Sequence, residues 1–187
     1  MEHIYMAGHI CPYWFAYMFD NPLRVLFHHP QKIFGSYVKE GMTVLDVGCG
    51  MGFFSIGLAK LVGKTGSVIA ADIQEKMLTA VKRRAEKAGV SGRIRIHRCA
   101  PDNLGIDTPV DFILTFWMVH EVADINLFFR QISSCLKPHG KIFVVEPRFH
   151  VSSRRFQDIL LSARQNGLEE YGTAPVHFSR SAILSKD

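Results

Sequence analysis

The run Asp46-Val47-Gly48-Cys49-Gly50-Met51-Gly52 sets one carboxylate ahead of three glycines at alternate positions. Glycines so spaced make a tight turn and let backbone come close to a ligand. No Gly-Lys-Ser/Thr follows them, so the loop is not a phosphate cradle of the Walker type. Asp46 is an awkward neighbour for a pyrophosphate and suits a cationic group, by charge complementarity. Asp72 ends the next apolar run, where a carboxylate can accept hydrogen bonds from both hydroxyls of a ribose. Further along come His120 and Glu121, and then Glu146 just before Pro147. His120 is the leading general-base candidate, because a neutral imidazole titrates near neutral pH. Glu121 is the second. Glu146, ending a strand, could orient a substrate or pair with Arg148. Each has an ordinary alternative as a turn residue, a helix cap or a brace.

These groups need elements that carry them to one place. Thr43–Val47 reads as a buried strand, the glycines as its turn, and residues 53–62 as the following helix. Such a unit presents a helix N-terminus to a polar ligand at a sheet edge. Residues 67–72 are strand two. A helix over 76–88 has Met77, Leu78, Val81, Ala85 and Ala88 at helical spacing and stops at Gly89. Residues 94–98 and 110–115 are strands three and four. A helix through Leu136 ends at the turn signal Lys137-Pro138-His139-Gly140, and strand five covers 141–146. A helix over 153–166 closes at Gly167, and the segments 168–171 and 176–184 would form an antiparallel pair at one edge. Repeated strand-helix units predict an α/β fold with a mainly parallel sheet and helices on both faces.

The 187 residues fit one domain, 1–187, with residues 1–38 as a helical lid or acceptor-covering segment within it. The chain is 48% apolar and 21% charged, with a formal charge of +5. No charge stripe or aromatic-basic interleaving stands out, so nucleic acid is not the expected substrate. No apolar run is long enough to span a membrane, and no basic start leads into an apolar signal segment; cytoplasm is the expected location. Cys11, Cys49, Cys99 and Cys135 form no CxxC pair, so reduced thiols and no metal site are expected.

The order Asp-x-Gly-x-Gly-x-Gly over Val44–Gly52, with Asp72 at the end of strand two, resembles the class I S-adenosylmethionine-dependent methyltransferases. The resemblance covers roughly residues 30–150 and is nearest to the small-molecule group that includes ubiquinone/menaquinone and arsenite methyltransferases. It implies a three-layer Rossmann-like fold with a seven-stranded sheet, and S-adenosyl-L-methionine as cofactor. Gly48, Cys49, Gly50 and Gly52 would approach the methionine portion, with Asp46 orienting it. Asp72 would hold the ribose, Ile73 would pack on the adenine, and Met77 would close its pocket or serve as a core residue. Where relatives carry Gly-Asp-Ala, this chain reads Cys99-Ala100-Pro101-Asp102. Ala100 stands at the usual acid position, and Pro101 has no N–H to give the base. Asp102 would have to swing in, or the adenine edge is read differently.

Phe116 and Trp117 would line the junction of cofactor and acceptor. In related enzymes the region before the first motif covers the acceptor, so Tyr17 would touch the methionine carboxylate and Trp14 would wall an apolar acceptor. The implied reaction is methyl transfer to a small-molecule acceptor, giving S-adenosylhomocysteine. The competing reading is an S-adenosylmethionine-binding scaffold or regulatory subunit without transfer activity. Homodimerisation is open, since no coiled-coil repeat fixes it.

Overall fold

The computed structural model describes residues 24–187. Tyr17, Trp14, His9, Cys11 and the aromatic run from Ile10 to Phe19 lie outside the described residues. Two short helices, α1 (Arg24–Phe27) and α2 (Pro30–Phe34), precede β1 (Thr43–Val47), α3 (Phe53–Leu61), β2 (Ser67–Asp72) and α4 (Glu75–Lys87). β3 (Ile94–Arg98) and β4 (Val110–Phe116) follow, then α5 (Ile125–Cys135), β5 (Leu136–Pro147), α6 (Ser153–Gln165), β6 (Glu169–Gly172) and β7 (Ser179–Ser185).

The seven strands form one sheet in the order β3-β2-β1-β4-β5-β7-β6. β1 to β5 are mutually parallel and β7 runs antiparallel to both neighbours. Chain order reverses between β1 and β4, which opens a crevice beyond their carboxyl ends, where ligands bind in sheets of this kind. The terminal pair is antiparallel at one edge as expected, with β7 lying between β5 and β6. Its central residues Ala182, Ile183 and Leu184 are buried, whereas β6 is exposed throughout, so burial sends β7 inward.

The side-chain period of two divides the core between the faces. Leu45, Ile69, Ile113 and Ile142 meet Phe128, Phe129 and Ile132 of α5 and Phe156 and Ile159 of α6. Val44, Val68, Phe112 and Phe143 meet Phe34, Phe54 and Leu58 on the other face. Alternation therefore puts Asp46 on the α3 side and Glu146 on the α5/α6 side.

Local signals explain most helix ends. The Asp124 carboxylate accepts the Leu127 N–H (2.8 Å) at the start of α5, and the Ser152 hydroxyl accepts the Arg155 N–H (3.1 Å) at the start of α6. α4 stops where Gly89 takes φ +68. α2 ends at Phe34, before Gly35 and Ser36, poor helix formers. The turn expected at 137–140 falls inside the bounds of β5. Register jumps from Val110 opposite Leu136 to Phe112 opposite Lys141, so those residues bulge out, with His139 at φ 60. Among the described residues, no helix is long and apolar enough to cross a membrane.

Candidate active site

The glycine turn hangs from the end of β2. Gly48 and Cys49 both donate N–H to the Ala71 carbonyl (2.8 and 3.1 Å), and Gly52 donates to Cys49 (3.0 Å). Gly48 and Gly52 sit at φ +67 and +83. A Cβ on Gly48 would lie 2.9 Å from the Met118 side chain, and one on Gly52 3.0 Å from Val81. Gly50, at φ +53, has nothing within 4 Å of where its Cβ would be. The turn is thus closed on two sides and open at Gly50.

Asp72 braces this open position. One carboxylate oxygen accepts the Gly50 N–H (3.0 Å) and the other the Gln74 N–H (2.9 Å). Each oxygen keeps a further lone pair for a ligand hydroxyl. Burial raises the Asp72 pKa, against those N–H groups, which lower it. Asp46 is 2% exposed and accepts the Ser55 hydroxyl of α3 (2.5 Å). Burial lifts its pKa to about 7, helped by the nearby Asp72. A buried carboxylate held near neutrality is a place where an arriving cation is stabilised. Burial and both aspartates push the Cys49 thiol well above its ordinary range, and burial takes Cys99 to about 11, so neither is a thiolate near neutral pH.

A second group gathers at the ends of β4 and β5. Glu146 is fully buried. Its Oε1 accepts the Val119 N–H (3.0 Å), and its Oε2 pairs with Nδ1 of His120. A carboxylate only accepts, so the proton of a neutral His120 sits on Nδ1 and Nε2 is left as an acceptor. Glu121 Oε1 lies 4.0 Å from that Nε2. The loop is tied to the glycine turn by Met118 against Gly48. Arg148 does not pair with Glu146; its Nε donates to the Ser179 carbonyl (2.7 Å).

Between them lies an aromatic box. The Arg24 guanidinium stands over the rings of Phe53, Phe54, Phe116 and Trp117 at 4.7 to 5.8 Å. Trp117 takes φ 60, an outlier for so bulky a residue. It is pinned by its N–H on the Val145 carbonyl (2.7 Å) and its indole N–H on the Ser179 hydroxyl (2.9 Å). His28 packs edge-on against Phe54, Phe116 and Trp117 and donates from Nε2 to the His177 carbonyl (3.0 Å). Burial lowers its pKa.

The remaining predicted residues divide. Met77 is buried on α4, and Ile73 is half-buried against the core on the α5/α6 face of the sheet. Asp102 is exposed on a tight turn closed by Ala100 and Asn103, and its carbonyl accepts from Gln131 Nε2 (2.9 Å). Ser55, Arg24 and His28 carried no sequence signal, because nothing local marks a serine or arginine as the neighbour of a distant carboxylate or ring.

The family described as a methyltransferase domain matches residues 38–177. The chain belongs to this family. It is 36% identical over 112 residues to the ubiquinone/menaquinone biosynthesis C-methyltransferase of Cellvibrio japonicus, covering 59% of this chain and 45% of that protein. Identity to the protein of the same name from Escherichia coli is 33% over 112 residues, with the same coverage. The chain thus spans a little under half the length of these curated relatives. Among solved structures, an S-adenosylmethionine-dependent methyltransferase from Aquifex aeolicus superposes with a TM-score of 0.82 at 24% identity, covering 94% of this chain and 99% of that one. An O-methyltransferase from Thermotoga maritima gives 0.68 at 20% identity, covering 94% and 71%. The structural likeness shows the methyltransferase fold.

Proposed function

We propose that the chain transfers a methyl group from S-adenosylmethionine to a small-molecule acceptor with an ionisable hydroxyl or carbon acid. The observation that carries this reading is the joining of the glycine turn to the His120–Glu146 pair through Met118. The donor set fits the cofactor. Asp46 offers a buried carboxylate to its cationic methionine end, Gly50 an open backbone face, and Asp72 spare lone pairs to its ribose. Ile73 and Met77 are the residues assigned to the adenine.

When bound, S-adenosylmethionine would supply an electrophilic methyl on a sulfonium sulfur, which would keep the carbon–sulfur electron pair once the methyl is transferred. The chain's work is to align the acceptor, exclude water and receive a proton. Glu146 holds the imidazole so that Nε2 of His120 takes the acceptor's proton as its nucleophile forms. Glu121 is placed to stabilise the resulting imidazolium. Phe116 and Trp117 wall the junction, and Tyr17 is assigned to the methionine carboxylate. Asp102 keeps its proposed role at the adenine only if the exposed turn bends inward.

The named relatives methylate carbon in quinone biosynthesis, and a hydroxylated aromatic acceptor accords with a base and an aromatic wall. The test is S-adenosylhomocysteine release across phenols, hydroquinones and thiols. Turnover with a hydroxylated aromatic that falls in Glu146→Gln, with cofactor affinity retained, supports the reading. Cofactor binding with no turnover on any acceptor would support the scaffold alternative.

A further inference from the structure

Strand register brings Pro147 opposite Ser179, so the loop after β5 and the turn before β7 rise side by side. α1 stands next to them. On this rim Leu26, Phe27, Phe149 and Phe178 are 73%, 46%, 67% and 59% exposed. They are four of the seven large apolar side chains that lie exposed among the described residues, so the exposure is concentrated. The three phenyl rings are linked by way of Trp117 and His28, the residue after Phe27. The Phe27 and Phe178 rings are 5.6 Å apart, Phe149 stands edge-on to Trp117 at 5.7 Å, and Trp117 meets His28 at 5.4 Å.

Phe178 is the telling member. Its backbone takes φ 60, a conformation that suits asparagine or glycine and disfavours a bulky side chain. Its ring is mostly outside, so burial within the chain does not offset that strain. The turn would be better served by another residue, and the ring therefore has a use beyond the fold.

Charge says what kind of surface would meet these rings. Residues 24–39, 147–157 and 173–186 contain no aspartate or glutamate. They carry Arg148 and Arg154, both exposed, among other cations. Phenyl rings interleaved with arginines, with Asp158 one helical turn beyond Arg154 as the carboxylate that follows, match a bilayer interface, where rings enter the acyl boundary and cations stay among anionic headgroups. Single-stranded nucleic acid needs ring faces laid out for successive bases. Here Phe27 and Phe178 meet at 60° and cover each other's edges.

We propose that this rim, formed by Leu26, Phe27, Phe149 and Phe178 with Arg148 and Arg154, docks the protein on a lipid surface bearing anionic headgroups. The rim borders Trp117, so a docked protein turns the acceptor mouth toward the membrane.

The test is flotation of the full chain with vesicles of phosphatidylcholine containing phosphatidylglycerol, against pure phosphatidylcholine. It needs neither cofactor nor acceptor, so its failure leaves the methyl-transfer reading standing. Wild type should float with the anionic vesicles and release in high salt. The double variant Phe149→Ser/Phe178→Asn should lose about tenfold or more in partitioning, and Arg154→Gln about fivefold. Phe178→Asn alone should melt no lower than wild type, because it relieves the backbone, yet bind vesicles more weakly. Absence of wild-type binding, full binding by the double variant, or binding to polyuridine in place of vesicles would each overturn the proposal.

Discussion

Asp46→Asn should stabilise the free protein while weakening its hold on the cofactor. Burial raises the Asp46 pKa from an ordinary 3.8 to about 7. That rise of about three units corresponds to about 4 kcal/mol of unfavourable free energy for the ionised form in the fold, at about 1.4 kcal/mol per unit. An asparagine removes it. The amide oxygen can still accept from Ser55, but its N–H2 gains no evident acceptor, which costs about 1–3 kcal/mol. The net gain at pH 8 is then about 1–3 kcal/mol, or roughly 2–10 °C in Tm for a chain of this size. The pH dependence carries the sharper signature. Because the folded pKa is the higher one, the folded state holds the extra proton between 3.8 and about 7. The stabilisation is fully present below 3.8 and is lost as pH rises through about 7. Wild type should therefore lose about 2–3 kcal/mol from this group between about pH 5 and pH 8, and the variant none of it. Thermal unfolding of both proteins across that range gives the comparison. A variant that melts below wild type at pH 8, with an unchanged pH slope, would refute the assignment of a strained, half-neutral carboxylate.

Cofactor binding should itself release a proton near neutral pH, because a cationic ligand favours the Asp46 carboxylate. Calorimetry in buffers of different ionisation enthalpy would show it as a heat that tracks the buffer, and affinity should rise with pH up to about 7. Asp72→Ala orphans the Gly50 and Gln74 N–H groups and should cost about 2 kcal/mol of stability together with most of the cofactor affinity; Asp72→Asn should cost less, and denaturant titration separates the two. Glu146→Gln should lower kcat about 100-fold or more while leaving cofactor affinity within about twofold, since in the proposed reaction it acts through His120. Iodoacetamide should label Cys49 and Cys99 in the native protein far more slowly than in the unfolded one, as read by peptide mapping, because burial holds both thiols protonated.

The glycine turn and its two aspartates were readable because their chemistry is local: a strand, a φ-positive turn and a helix adjoin in sequence. The parallel sheet followed from the alternation of apolar runs. What stayed hidden depends on distance along the chain. His120 and Glu146 each stood out alone, but they are 26 residues apart, and only the adjacency of β4 and β5 makes them a pair. The insertion of β7 between β5 and β6 has no sequence mark, since either strand could have been outermost. Lys137–Gly140 signalled a turn correctly, yet a register jump absorbs it within β5. Arg24 over its four rings joins α1 to α3 and the end of β4, a meeting that no window of residues contains.

The measurement closest to the centre of the account is calorimetric titration of S-adenosylmethionine and S-adenosylhomocysteine into wild type and Asp72→Ala. Saturable one-to-one binding to wild type, lost or sharply weakened in the variant, is the predicted result. Pure, folded wild-type protein that binds neither compound would contradict it.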